Sequence, residues 1–149
     1  MKRVFIGLFI IILCVAPQCF ADTVNINSTQ EIEVCFSPGG NCTDAIIKEL
    51  DSAESEILVQ AYSFTSAPIA AALVRAHKRG IVVQVILDKS QKKDGYSSAT
   101  FLHNAGIPTF IDSAHAIAHN KVMIIDAETV ITGSFNFTKA AEKKTLKTS

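Results

Sequence analysis

The stretch EILVQAYSFTSAPIAAALVRAHKRGIVVQVILD, Glu56–Asp88, carries in order the patterns of a strand, a helix and a second strand. Glu56–Phe64 (EILVQAYSF) is rich in β-branched and aromatic residues, which pack well on a pleated surface. Ser66 then stands where a helix N-cap belongs, with Pro68 in the first turn, where a missing N–H costs nothing. The helix ends at Lys78-Arg79-Gly80: cations suit the C-terminal end of the dipole, and glycine accepts the left-handed conformation that closes a helix. Ile81–Leu87 (IVVQVIL) follows as an almost unbroken apolar run, the pattern of a strand covered on both faces. A strand, a crossover helix and a returning strand predict a parallel pair.

The flanking text extends that unit. Asp88–Gly95 (DKSQKKDG) reads as a charged loop, whose Lys89, Lys92 and Lys93 either steer a polyanion or are simply solvated. Tyr96–Asn104 reads as a helix stopped by Ala105-Gly106, and Ile107–Ile111 as a short strand. Upstream, Asp22–Gln30 is polar, Glu31–Phe36 reads as a short strand, and Asn41 or Thr43 caps a helix running to about Ala53. Ala45, Ile46, Ile47 and Leu50 form the apolar face of that helix. Helices alternating with apolar strands predict an α/β fold, with a mixed, mostly parallel sheet flanked by helices.

At 149 residues the chain suits one domain with a real core. It begins with the basic MKR, then twelve apolar residues, Val4–Val15. Pro17 breaks that run, and small residues stand at the last and third-last places before Asp22. This is the layout of a secretory signal peptide over residues 1–21, with a retained anchor as the rival reading, and the run is too short to span a bilayer. A domain of residues 22–149, exported to the periplasm or the medium, is the expectation. Removal of Lys2 and Arg3 leaves twelve basic against fourteen acidic residues, a formal charge of −2. Attraction to a polyanion would then need a local patch. Of the four cysteines, Cys35 and Cys42 remain. They flank FSPGGN, whose Pro-Gly-Gly makes a tight reversal, so a disulfide is expected in an oxidising compartment. A zinc half-site lacks a second ligand pair nearby.

The last third of the chain, HNKVMIIDAETVITGSFNFT (His119–Thr138), sets polar residues at alternate places in two apolar runs. Val122–Ile125 and Val130–Thr132 are close enough for a hairpin. If Asp126 faces Thr129, His119 lies opposite Asn136 and Lys121 opposite Ser134, all four on one face. Val122, Ile124, Phe135 and Phe137 then form the core face, and Asp126 sits at the turn, ordering the hairpin without touching substrate. An imidazole supplies a nucleophile or base, an ammonium and a carboxamide hold an anion, and a hydroxyl adds a hydrogen bond. Gly133 lets a substrate approach the backbone. With no carboxylate on this face to orient the histidine, the set suits a phosphate better than a peptide carbonyl.

His119-x-Lys121-x4-Asp126-x6-Gly133-Ser134-x-Asn136 resembles the HKD motif of the phospholipase D superfamily. The surrounding AYSFTSAPIAAALVRAHKRGIVVQVILD and GSFNFTKAA resemble its small single-motif bacterial members, which include the Nuc-type endonucleases, and the likeness runs from about Glu31 to Glu142. The resemblance implies attack of a motif histidine on phosphorus through a phosphohistidine, with His119 as that nucleophile or as the acid that protonates the leaving group. Lys121 and Asn136 would bind phosphate oxygens with Ser134 in support, and no metal or other cofactor is required. It also implies a homodimer, since the chemistry uses two histidines and this chain has one motif; an isologous interface through the hairpin is expected. The substrate would be DNA or RNA, cut by a non-specific endonuclease, or alternatively a phospholipid. A further alternative is a truncated, non-catalytic remnant. After Lys139-Ala140-Ala141-Glu142 the sequence runs Lys-Lys-Thr-Leu-Lys-Thr-Ser, without the strand and closing helix usual in the family, so an uncovered sheet edge is expected.

Four other features have bland readings. His115 and His119 are spaced like zinc ligands on a helix, but their neighbours are β-type, so His115 is better placed at a cleft rim. His77 and His103 lie at helix ends and read as structural or solvated. Tyr62, Ser63 and Thr65 end a strand where α/β sites often form, which makes them candidates for a site wall.

Overall fold

The computed structural model describes residues 31–92 and 98–142. Residues 1–21, read as a signal peptide, lie outside that range, as do Lys93 and the tail after Glu142. The elements run α1 (Cys42–Ser52), β1 (Glu56–Ala61), α2 (Ala67–Lys78), β2 (Val82–Asp88), a 3-10 turn (Lys89–Gln91), α3 (Ser98–Asn104), β3 (Thr109–Asp112), β4 (Lys121–Ile125), β5 (Thr129–Thr132) and α4 (Lys139–Glu142). One five-stranded sheet has the order β3-β2-β1-β4-β5. β1, β2 and β3 are parallel, and the β4–β5 hairpin joins antiparallel beside β1. The α/β expectation, with a mixed sheet and flanking helices, is therefore met.

Parity builds the core. Ile57, Val59 and Ala61 of β1, Val83, Val85 and Leu87 of β2, and Met123 and Ile125 of β4 all point to one side and are buried. On that side they meet Ile46 and Leu50 of α1, Ile69, Leu73 and Ala76 of α2, and Leu102 of α3 in one apolar cluster. The other side of the sheet is more open: Val82 is 54% exposed, Ile86 41% and Phe110 55%. The expectation that β2 is covered on both faces thus fails, since its residues alternate buried and exposed.

Three local expectations also need correction. Glu31–Phe36 forms no strand; its apolar side chains Ile32, Val34 and Phe36 are exposed, because alternation makes a strand only where a partner edge exists. Helix α1 starts where expected, but neither Asn41 nor Ser66 makes a side-chain cap. Instead the Thr43 N–H and hydroxyl both donate to Glu142 Oε2, at 2.9 and 2.7 Å. The start of α1 is therefore tied to α4, beyond the motif. The expected disulfide Cys35–Cys42 is present, with Cα atoms 5.7 Å apart.

The hairpin register is the third correction. The pairs are Val122↔Thr132, Met123↔Ile131, Ile124↔Val130 and Ile125↔Thr129, one residue away from the expected register. Asp126 and Ala127 both take left-handed backbone (φ 55° and 58°), and the Glu128 N–H donates to the Ile125 carbonyl at 3.0 Å. This tight turn leaves Glu128 as an extra residue on the β5 side, so the loop has three residues. The core face of β4 is also the opposite of the expected one. Lys121 shares the buried face with Met123 and Ile125, while Val122 and Ile124 lie on the half-buried face.

Candidate active site

The carboxyl ends of the parallel strands and the start of β4 meet at one end of the sheet. Open α/β sheets bind ligands at this kind of place, because loops leave the strands there and backbone groups are free. Ala61 is the register partner of Lys121, and the Tyr62 N–H donates to the Asn120 carbonyl at 2.7 Å. The chain entering β4 is thus stitched to the end of β1. Phe64 bridges Phe137 in parallel, and the Thr65 and Ser66 N–H groups both donate to the Phe137 carbonyl at 2.9 Å. The arm that follows β5 is thereby brought to the same end. Gly133 turns the chain into that arm with φ 151°, a backbone value that side chains rarely adopt.

His119 and Lys121 form the centre. Lys121 Nζ lies 3.3 Å from His119 Nε2 and donates to the His119 carbonyl at 3.1 Å. The ammonium also stands 5.3 Å from the centre of the Tyr62 ring, which itself is 4.5 Å from the imidazole. Since an ammonium only donates, His119 Nε2 is the acceptor of that contact and keeps its lone pair. Lys121 is only 6% exposed, yet among the described residues no carboxylate lies within ion-pair distance of it. Its charge is balanced only by a carbonyl, an imidazole and a ring face. His119 is exposed beside it, so an anion has a way in.

Ser134 and Asn136 follow on the arm beyond the end of β5 and not on a strand. Among the described residues no hydrogen bond joins either of them to His119 or Lys121. Asn136 Oδ1 is buried without a hydrogen-bond partner, so this carboxamide is not used up by the protein's own backbone. Exchanging its oxygen and nitrogen would place two donors there instead.

Asp126 sits at the opposite end of β4. Its carboxylate accepts from the Glu54 N–H at 2.9 Å, the Ser55 N–H at 2.7 Å, the Ser55 hydroxyl at 2.7 Å and the Glu56 N–H at 2.9 Å. Those bonds, led by the Glu54 and Glu56 amides, hold its carboxyl far below the ordinary carboxylate range. Asp126 therefore pins the hairpin turn to the start of β1.

Sequence reasoning passed over Asp88, the last residue of β2. Its carboxylate accepts from Ser90 N at 2.8 Å and from Ala118 N at 2.7 Å, one residue before His119. Ser90 first, then Ala118, lower its carboxyl to about 2. The available signal was its place at a strand end beside a loop. Tyr62 joins the site as a wall, whereas Thr65 meets the arm through its backbone. The segment from 113 to 120 has no helix, so His115 and His119 are not helical neighbours.

A histidine and a lysine two residues apart, on a hairpin docked against a parallel β-α-β unit, define a phospholipase D-like domain. Residues 46–146 match the family described as "Cardiolipin synthase, PLD-like domain", and the chain belongs to it. It is 45% identical over 117 residues to "Phospholipase D" of Rickettsia conorii, a match over 78% of this chain and 58% of that protein. The crystal structure of Nuc, a phospholipase D family member from Salmonella typhimurium, is similar with a TM-score of 0.69 at 44% identity, covering 75% of each chain. NucT from Helicobacter pylori is similar with a TM-score of 0.59 at 30% identity, covering 68% of this chain and 71% of its own. The chain thus spans somewhat more than half the length of that curated relative.

Proposed function

We propose that this chain is a phosphodiesterase domain that cuts nucleic-acid strands, with His119 as nucleophile. The observation that carries the reading is the Lys121 ammonium, buried beside an exposed imidazole with no carboxylate among the described residues to balance it. A buried charge without a counter-charge is costly, and a phosphodiester anion is the partner that offsets it. When phosphate arrives, Lys121 donates to its non-bridging oxygens and releases the His119 Nε2 lone pair. That lone pair attacks phosphorus: a P–N bond forms, the bond to the leaving oxygen breaks, and that oxygen takes a proton from a second imidazole. Water then attacks the phosphohistidine, giving its proton back to the second imidazole, and His119 is restored. Asn136 and Ser134 supply further hydrogen bonds from the arm.

The second imidazole is the His119 of another copy, which makes the active form a homodimer with an isologous interface. Nucleic acid is favoured by the resemblance to Nuc-type endonucleases and by Lys89 and Lys92 in the loop after β2. Phospholipid is the second reading, because the curated relative is named a phospholipase D and Ile117, two residues before His119, is 65% exposed. Among the described residues no helix is long and apolar enough to cross a membrane. Export is part of the proposal, supported by the N-terminal pattern and by a disulfide that suits an oxidising compartment.

The test is incubation of the purified protein, in EDTA, with plasmid DNA or with a choline phospholipid, beside His119→Asn. DNA cleavage that survives EDTA and falls at least about a thousandfold in the variant is the expected result. Phospholipid turnover alone would transfer the assignment to the second reading. Full activity in a species that sediments as a monomer would remove the shared site. A folded dimer that turns over neither substrate would leave the non-catalytic reading.

A further inference from the structure

The segment from β3 to β4, which leads into His119, is pinned by two carboxylates that are register partners, Asp88 and Asp112. With the order β3-β2-β1-β4, this segment passes the ends of β2 and β1 to reach β4. Asp88 holds its far end through Ala118 N. Asp112 holds its near end: Oδ1 accepts from Ala114 N at 3.0 Å and from His115 N at 3.2 Å, and Oδ2 lies 2.7 Å from His115 Nδ1. The Asp112 carboxyl is held below the ordinary range, chiefly by that His115 contact, so it is ionised and only accepts. The proton of the contact therefore sits on Nδ1, and Nε2 is the free position of the ring. The Asp112 side chain is 11% exposed and that of His115 73%, so a half-hidden anion fixes a ring presented to solvent.

We infer that His115, oriented by Asp112, forms a flanking subsite that binds a second phosphate of a nucleic-acid strand whose scissile phosphate lies at His119. Four residues of fully extended chain reach at most about 14 Å, so the two histidines are a few nucleotides apart at most. When Nε2 takes up a proton, its N–H donates to a phosphate oxygen, and the Asp112 carboxylate 2.7 Å from Nδ1 stands as the counter-charge. The His115–Asp112 pair is absent from the phosphoryl-transfer steps proposed above. A substrate with one phosphate has nothing to place at His115, whereas a strand has a phosphate on every nucleotide. The inference rests on the nucleic-acid reading and gives it a further specificity residue.

The test measures binding, so that turnover is not required. In a His119→Asn background at pH 6, fluorescence anisotropy compares a labelled twelve-nucleotide single strand with a dinucleoside monophosphate. Adding His115→Gln should weaken strand binding about five- to tenfold, the worth of one exposed charge-assisted hydrogen bond. The slope of log affinity against log salt should fall by about 0.7, one phosphate contact on a single strand. The dinucleoside monophosphate should lose less than about twofold by the same reasoning. Asp112→Asn keeps an acceptor for the two loop amides but breaks the ring contact, and it should weaken the strand in the same direction. His115→Arg should restore both affinity and slope, which a purely structural role for His115 would not allow. Equal losses on both ligands, an unchanged salt slope, or no rescue by arginine would overturn the subsite. If the His119→Asn protein binds no strand but binds anionic vesicles, the nucleic-acid reading itself has failed. Strand cleavage by the wild type with no effect of His115→Gln rejects the subsite alone.

Discussion

Strand β4 has a charged residue at each end, and the two are treated in opposite ways. Asp126, just past its end, receives four hydrogen bonds from residues 54–56, and its charge is fully engaged by the protein. Lys121, at its start, is buried, and among the described residues its polar neighbours are the His119 carbonyl and ring and the Tyr62 face. Both belong to one sequence motif, and motif membership alone says nothing about which of them meets substrate. The distinction is physical. A charge satisfied by the fold is an element of the fold, while a buried charge left unsatisfied is an invitation to a ligand of opposite sign.

The largest expected effect tests the unsatisfied end. Lys121→Met should lower kcat/KM about a hundred- to a thousandfold, as loss of one preorganised charge at a reacting anion does. Its thermal midpoint should stay level or rise, because an unpaired buried ammonium gives way to an apolar chain of similar length. A variant that melts well below the wild type would mean that Lys121 supports the fold, and the comparison would break.

Between the two ends lies Met123, fully buried on the core face. Met123→Ala should cost about 2–5 kcal/mol in denaturant unfolding, the range for a buried side chain truncated in a packed core. It sets the scale against which changes at either end of β4 are judged. A cost within the range of a surface substitution would contradict the face assignment of the hairpin.

The satisfied end should behave in the reverse way to Lys121. Asp126→Ala should lower the thermal midpoint, since three backbone amides and a hydroxyl lose their acceptor. At temperatures where the variant is folded, kcat/KM should stay within about threefold of wild type, a change worth well under 1 kcal/mol. A hundredfold loss in a folded variant would place Asp126 in the chemistry.

The smallest effect is read against pH. Asp126 and Asp88 are both held below the ordinary aspartate value of about 3.9, Asp88 at about 2. A depressed carboxyl contributes stability in full above its unfolded value and loses it as pH falls through its folded value. The thermal midpoint should therefore decline from about pH 4 toward pH 2, and Asp126→Ala should show a shallower decline over that window. Equal slopes would mean that the turn is not held by an ionised carboxylate.

Much of this molecule was legible before folding. The β-α-β unit from Glu56 to Asp88 could be read because its apolar periods differ by element and Pro68 and Gly80 punctuate the helix. The motif could be read because its spacing is distinctive. The strand expected at Glu31–Phe36 could not be judged locally, since alternation makes a strand only when the segment pairs, and among the described residues this one does not. The hairpin was legible to within one residue. Asp126 and Ala127 are non-glycine residues in left-handed backbone, an uncommon choice that spacing does not reveal.

By itself, then, the sequence determined the fold class and the motif that sets His119 and Lys121 two residues apart. Residue types and periods are local properties, and they survive in a string. Only the tertiary structure decided that Lys121 lies on the core side of its strand with no ion-pair partner among the described residues, and that Asp126 is absorbed by residues 54–56. It also joined Asp112 to His115 and Asp88 to Ala118. Those outcomes depend on which strands become neighbours and on a single extra residue in a turn. A one-residue shift moves every side chain to the other face, and that is settled by the whole sheet and not by any segment of it.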